Sequence, residues 1–146
     1  MVKSSLEHFV KTVLAKREIT VEDVRRLQRD ILPDGLESRD EADILIALDR
    51  AIPYKHCSWS AFASQTVVDY VVWTSRPTGY VDHETATWLV ASLSAGTGPS
   101  PVAEAIAFDV VREAERADTT LIAFVMRSAR GRMNATPGDI LDAIAA

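Results

Sequence analysis

Asp30, Asp34, Ser38 and Glu41 occupy the first, fifth, ninth and twelfth places of one short stretch, with Gly35 at the sixth. Oxygen-bearing side chains at that spacing around a glycine turn suit a calcium ion, which takes about six to eight oxygens. Three carboxylates, a backbone carbonyl and water could supply them, so the stretch is a candidate site for calcium or another divalent cation. Leu32 stands where a ligand belongs, Pro33 stiffens the way in, and Glu37 occupies a place where an apolar residue would join two paired loops. The competing reading is structural: a glycine turn, then a capping box of Ser38 with Glu41, with the carboxylates in water.

Asp69 is the second candidate. It lies in TVVDYVVW, and a carboxylate buried among such neighbours must be paired, hydrogen-bonded or protonated. One use is a structural bond to a helix end or to Arg76. The other is a polar group in a core pocket, serving a small-ligand binder or an enzyme. His56 and Cys57 are adjacent, so they cannot readily chelate one metal or form a nucleophile–base pair, and His83 reads as a first-turn residue. The chain has no G-x-S-x-G, H-E-x-x-H or glycine-rich phosphate loop, so no catalytic residue and no organic cofactor is assigned. The expectation is a non-enzymatic protein.

Composition narrows the classes further. The 146 residues suit a single domain, 1–146, and the net charge of −5 argues against nucleic acid as a partner. Arg17, Arg25, Arg26 and Arg29 alternate with Glu22, Asp23 and Asp30, the pattern of a solvated helix face. Arg127, Arg130 and Arg132 suit the negative end of a helix dipole. The lone Cys57 excludes an intramolecular disulfide and a cysteine zinc cluster. No apolar run is long enough for a membrane span, and Glu7, His8 and Lys11 interrupt what would be a signal segment, so a cytoplasmic setting is expected. A protein partner or a homo-oligomer is the expected kind of contact. Residues 51–99 carry only two basic and three acidic side chains and all three tryptophans, which marks them as the buried centre.

The elements that must position these residues are helices, since apolar side chains recur with helical period. Leu6, Phe9, Val10, Val13 and Leu14 form one face. Thr20 with Asp23 starts a second helix through Val24, Leu27 and Ile31. Ser38 caps a third, with Ala42, Leu45, Leu48 and Ile52 inside and Pro53 as its stop. Residues 58–75 predict a central helix, with Trp59, Phe62, Ala63, Thr66, Tyr70 and Trp73 on one face and Arg76-Pro77 ending it. Asp82 caps a fifth helix with Ala86, Leu89, Val90 and Leu93. A linker, 94–101, leads to a sixth capped by Ser100 with Pro101 first and Ala103, Ile106, Ala107, Val110 and Ala114 inside. Asp118 or Thr119 starts a seventh through Leu121, Phe124 and Val125, and Thr136 caps a short eighth. The expected fold is an all-α, compact bundle of seven or eight helices.

DGLESRDEADIL and TGYVDHETATWL echo each other 44 residues apart, sharing glycine, a cap (Ser38, Asp82), alanine (Ala42, Ala86) and leucine (Leu45, Leu89). Two helix–loop–helix units follow, 20–52 and 58–94, with the C-terminal helices over 101–146. That is the layout of an EF-hand pair, but the second loop puts Thr74, Arg76, Thr78, Asp82 and Thr85 at the ligand places, and Arg76 would repel a cation. On residues 30–48 and 78–93 the chain resembles the tellurite-resistance TerB-like helical domains. That resemblance implies a helical bundle, a link to metal or chemical stress, and acidic residues, here Asp34 and Glu41, that hold a cation. It implies no enzyme activity.

Overall fold

The computed structural model describes residues 4–74, 78–95 and 100–133, with side chains as far as Ser128. Among the described residues seven helices run in the order α1 (Ser4–Lys16), α2 (Val21–Arg26), α3 (Arg39–Ala51), α4 (Ser58–Val68), α5 (His83–Ser94), α6 (Pro101–Glu113) and α7 (Thr119–Met133). Two of them continue as wider π-helical turns, α2 over Leu27–Ile31 and α4 over Asp69–Thr74. The all-α expectation holds. Arg76-Pro77, the middle of the 94–101 linker, Arg130, Arg132 and the eighth helix capped by Thr136 lie outside the described residues or side chains.

Four two-residue strands punctuate the helices, and their sequences carry no alternating run that would announce them. β1 (Glu18–Ile19) pairs with β2 (Tyr54–Lys55), and β3 (Tyr80–Val81) with β4 (Arg116–Ala117). Both pairs are parallel, which two helices of intervening chain make feasible, since a parallel return needs a crossover. The 30–41 loop carries no strand, so it is not laddered to the 74–85 stretch as an EF-hand pair would require.

These elements form a repeat. Glu18 to Tyr80, Val21 to His83, Arg39 to Pro101 and Tyr54 to Arg116 are all steps of 62 residues. Thr20 and Ser38 cap α2 and α3; at the same step Asp82 and Ser100 cap α5 and α6. Burial repeats too: Ile19 with Val81, Val24 with Ala86, Leu27 with Leu89, Ile31 with Leu93, Leu48 with Val110 and Trp59 with Leu121 are all buried. The 44-residue echo joins two capped helix starts, those of α3 and α5, but these helices are not counterparts. Residues 66–74 of α4 and its π-helical end stand where α1 stands in the first half, so this helix closes one unit and opens the next.

Left-handed backbone recurs at the same step. Gly79 has φ +82°, and Arg17, 62 residues before it, has φ +58°. Each reverses the chain between a helix and a strand. Glycine does so without a Cβ clash, whereas arginine bears the strain.

One core joins both halves, with Leu6, Phe9, Ile19, Leu27, Leu45, Trp59, Leu89, Leu93, Ile106 and Leu121 fully enclosed. Two expected core positions are overturned. Leu14 is 46% exposed because α1 buries the single stripe Leu6, Phe9 and Val13 and turns its next residue outward. Trp73 is 50% exposed: the π-helical turn holds extra residues, so Val71 and Val72 take the inner places.

Candidate functional site

The carboxylate deepest in a polar network is Asp49, on the buried side of α3 and 4% exposed. Its Oδ1 accepts from the indole Nε1–H of Trp59 at 3.2 Å and from Lys55 Nζ at 3.1 Å. Its Oδ2 accepts from the hydroxyl of Ser100 at 2.8 Å, and the Ser100 oxygen in turn accepts from the N–H of Ala103. One carboxylate thereby fastens α3 to α4, to β2 and to the cap of α6. With both oxygens engaged, burial of the charge is compensated. Its helical phase, four residues beyond Leu45 and one beyond Leu48, places it inside and could have revealed it.

A second network fills the seam between α3 and α5. Asp43 Oδ1 accepts from Trp88 Nε1–H at 3.0 Å and from Ser92 Oγ at 2.6 Å. Arg39 lies over the Trp88 ring at 5.3 Å and donates to Thr85 and Glu84. Arg50 donates to the carbonyls of Ser92 and Ala95, the otherwise open end of α5. These are interhelical fasteners, and neither Asp43 nor Asp49 stands out by motif.

Asp30 and Asp34 are exposed, Ser38 is half-buried and Glu41 is wholly buried. Among the described residues no three His, Cys, Asp or Glu side chains are gathered closely enough to hold a metal ion. Ser38 caps α3 by accepting from the N–H of Glu41, as its position implies. The return half of the capping box differs: Glu41 Oε1 accepts from the N–H of Glu37 at 2.9 Å, one residue before the cap. The other oxygen, Oε2, is buried with no hydrogen-bond partner. A buried acceptor left in this way costs about 1–3 kcal/mol.

Asp69 is exposed, so it is not the buried carboxylate that its apolar neighbours in sequence suggest, and neither use offered for a buried group applies. Its valine neighbours in sequence, Val67, Val68, Val71 and Val72, turn to the core, and Asp69 lies on the helix face between their outer edges. It lines an open groove between α4 and α6 with Ser60, Ser64, Gln65, Asp109 and Arg112.

The two ladders each launch two helices, and the caps differ. Asp82 accepts from the N–H of Thr85 at 2.8 Å, and that bond holds its carboxyl below the usual range. Asp118 accepts from the N–H of Thr120 at 3.0 Å, and this with a contact to His83 lowers it as well. In the first half His56 takes the place of Asp118: its Nδ1 accepts from the N–H of Ser58 at 3.1 Å. Thr20 and Asp23 bond each other's backbone in a complete capping box. Burial alone would raise Asp23, but the bond from Lys16 and those from Thr20 bring it below the usual range.

These features define a class, an all-helical protein of two unlike repeats sharing a central helix. Compared with family models, curated proteins and solved structures, the chain matches none.

Proposed function

We propose that the chain is a non-enzymatic helical interaction module. The observation that supports it is the outer side of the packed pair α6 and α7, where Phe108, Ile122 and Met126 are 51%, 37% and 56% exposed. Large apolar side chains on neighbouring helices suit a surface that is covered by a partner. The carboxylates of Asp43, Asp49, Asp82 and Asp118, in contrast, are committed to helix–helix fastening or capping. The resemblance to TerB-like helical domains adds a setting of metal or chemical stress to this reading. The test is a photoreactive benzophenone side chain placed at position 126 of the full chain in cells, with position 25 as control. A discrete adduct from 126 and none from 25 is the expected result; equal silence at both sites overturns the reading.

A second reading, a divalent-cation site at Asp30, Asp34, Ser38 and Glu41, draws support from the unpartnered Glu41 Oε2. Against it stands the dispersal of the three carboxylates. Calcium titration followed by tryptophan fluorescence decides, because Trp59 and Trp88 lie on helices bonded to α3. A flat signal up to about millimolar calcium removes this reading.

A further inference from the structure

We infer that residues 134–146, NATPGDILDAIAA, fold back as a short helix onto the outer face of α6 and α7 and cover Phe108 in the same chain, so that a partner must displace them to reach it. The inference rests on the interaction-module reading, whose surface it regulates. Those residues lie beyond the described part of α7, and their sequence selects them. PVAEAIA, 101–107 at the start of α6, and DILDAIA, 139–145, agree in character at every place but the first. Val102 matches Ile140, Ala103 matches Leu141, Glu104 matches Asp142, and Ala-Ile-Ala follows in both.

That part of α6 is what covers the first half. Val102, Ala103 and Ile106 form one wall of a narrow cleft whose other wall is Leu45, Ile46, Asp49, Ala63 and Val67. At the 62-residue step the second wall becomes Ala107, Phe108, Val111, Val125 and Ala129. Ile46 is 4% exposed under its cover, whereas Phe108 is 51% exposed and Val111 and Val125 are half-buried. Ile140, Leu141 and Ile144 bring to this wall the three apolar groups that α6 brings to the first.

The polar contacts change together. In the first half Asp49 accepts from the Ser100 hydroxyl. Val111 replaces that acceptor, and Gly138, at the place of Ser100, brings no hydroxyl that would need one. The segment carries Asp139 and Asp142 and no basic residue, while exposed Arg112 and Arg127 follow Val111 and Met126 on the face. Opposite charges favour the docking.

The reach suffices. Residue 129 takes the place of Val67, which shares the cleft with Ala103, so Leu141 comes to lie against it. Met133 is one helical turn past residue 129, about 6 Å. The chain from Met133 to Leu141 spans about 25 Å when extended. The matched stretch ends at Ala145. The α6 residues that share a groove with Ser60 and Ser64 are Asp109, Arg112 and Glu113, further along that helix. Ile122 and Met126, the counterparts of those serines, therefore stay uncovered as the partner's foothold. A helix of about ten residues is marginal in water, so the segment exchanges on and off and slows access to Phe108 without sealing it.

Paired cysteines in the full chain, in a C57S background, provide the test. Under mild oxidation F108C/L141C should close a disulfide within one chain, seen as a faster-running monomer band without reductant. F108C/A143C should stay open, because Ala143 is the counterpart of Ala105 on the exposed side of α6. Adding I140D/I144D to F108C should speed its thiol labelling about fivefold, as expected when a weakly held segment is released. The same pair should leave labelling of M126C unchanged. No disulfide between 108 and 141, equal closure at 141 and 143, or unaltered labelling of F108C would each overturn the inference. An adduct from position 126 without the 108–141 disulfide leaves the module reading standing alone. The disulfide without any adduct, with or without I140D/I144D, keeps the fold-back but removes the module reading and the regulation with it.

Discussion

The two halves of this molecule share their order of caps, strands and helices but use different chemistry at matched positions. The first half is tied with polar groups. Asp43 and Asp49, which reach Trp88, Ser92 and Ser100, stand where the second half has Ala105 and Val111. The second half is simpler inside, and its apolar surplus lies outside, at Phe108, Ile122 and Met126. The difference teaches that topology here is specified by caps and buried stripes, which both halves keep. The polar fasteners serve the one place where halves meet, so only one half needs them.

Exchanging residues between counterparts breaks or sharpens this comparison. The largest effect is expected at Asp49. D49V, which installs the residue of its counterpart, leaves the Trp59 indole N–H and the Ser100 hydroxyl without their acceptor and Lys55 with the carbonyl of residue 49 in place of the carboxylate. It should cost about 3 kcal/mol in urea unfolding, in the range for removing one partner of a buried charged network. A loss under about 1 kcal/mol would show that the network is not a fastener.

Next comes Glu41, whose counterpart is alanine. E41M fills the volume and removes the orphaned oxygen, so the midpoint of thermal unfolding should rise, by about 1 kcal/mol of stability. E41M also removes the bond that Oε1 accepts from the Glu37 N–H, so a large fall would mean that this bond outweighs the orphaned oxygen. The Arg17 and Gly79 pair gives opposite signs. R17G should stabilise and G79A destabilise, each by about 1 kcal/mol, from left-handed backbone alone. An alanine Cβ at 79 would meet Glu115 Cγ at an ordinary 3.5 Å, so sterics do not confuse the sign.

The smallest effect is at His56. H56D gives α4 the cap that α7 has and should add about 0.5–1 kcal/mol at neutral pH. Asp82 and Asp118 are held below the usual carboxylate range by their caps. Their contribution is therefore full above the unfolded-state pKa and is lost as pH falls through the lower folded value. The gain of H56D should fade in the same acidic window; a gain constant down to strong acid would contradict a charged cap.

Much of the helical order was legible because the stripes and caps are local signals. Thr20, Ser38, Asp82 and Ser100 cap the helices the sequence assigns to them. The repeat was not legible at its true step, because matched core positions differ in size, as Leu45 and Ala107 or Trp59 and Leu121 do. The 44-residue echo was visible because two glycine turns precede two capped helices, whichever helices those are. Asp69 misled because neighbours in sequence are not neighbours on a helix face. Trp73 misled because a π-helical turn changes the period. Asp43 went unnoticed because its partners Trp88 and Ser92 come from a helix far along the chain, and Asp49 because its helical phase was the one local sign of its burial.

The central claim is that matched faces of the two halves are covered in one and open in the other. Thiol reactivity measures it directly, with I46C and F108C made separately in a C57S background and labelled over a range of protein concentrations. The expected result is slow labelling of I46C and fast labelling of F108C. F108C labelled as slowly as I46C in dilute solution would contradict the account.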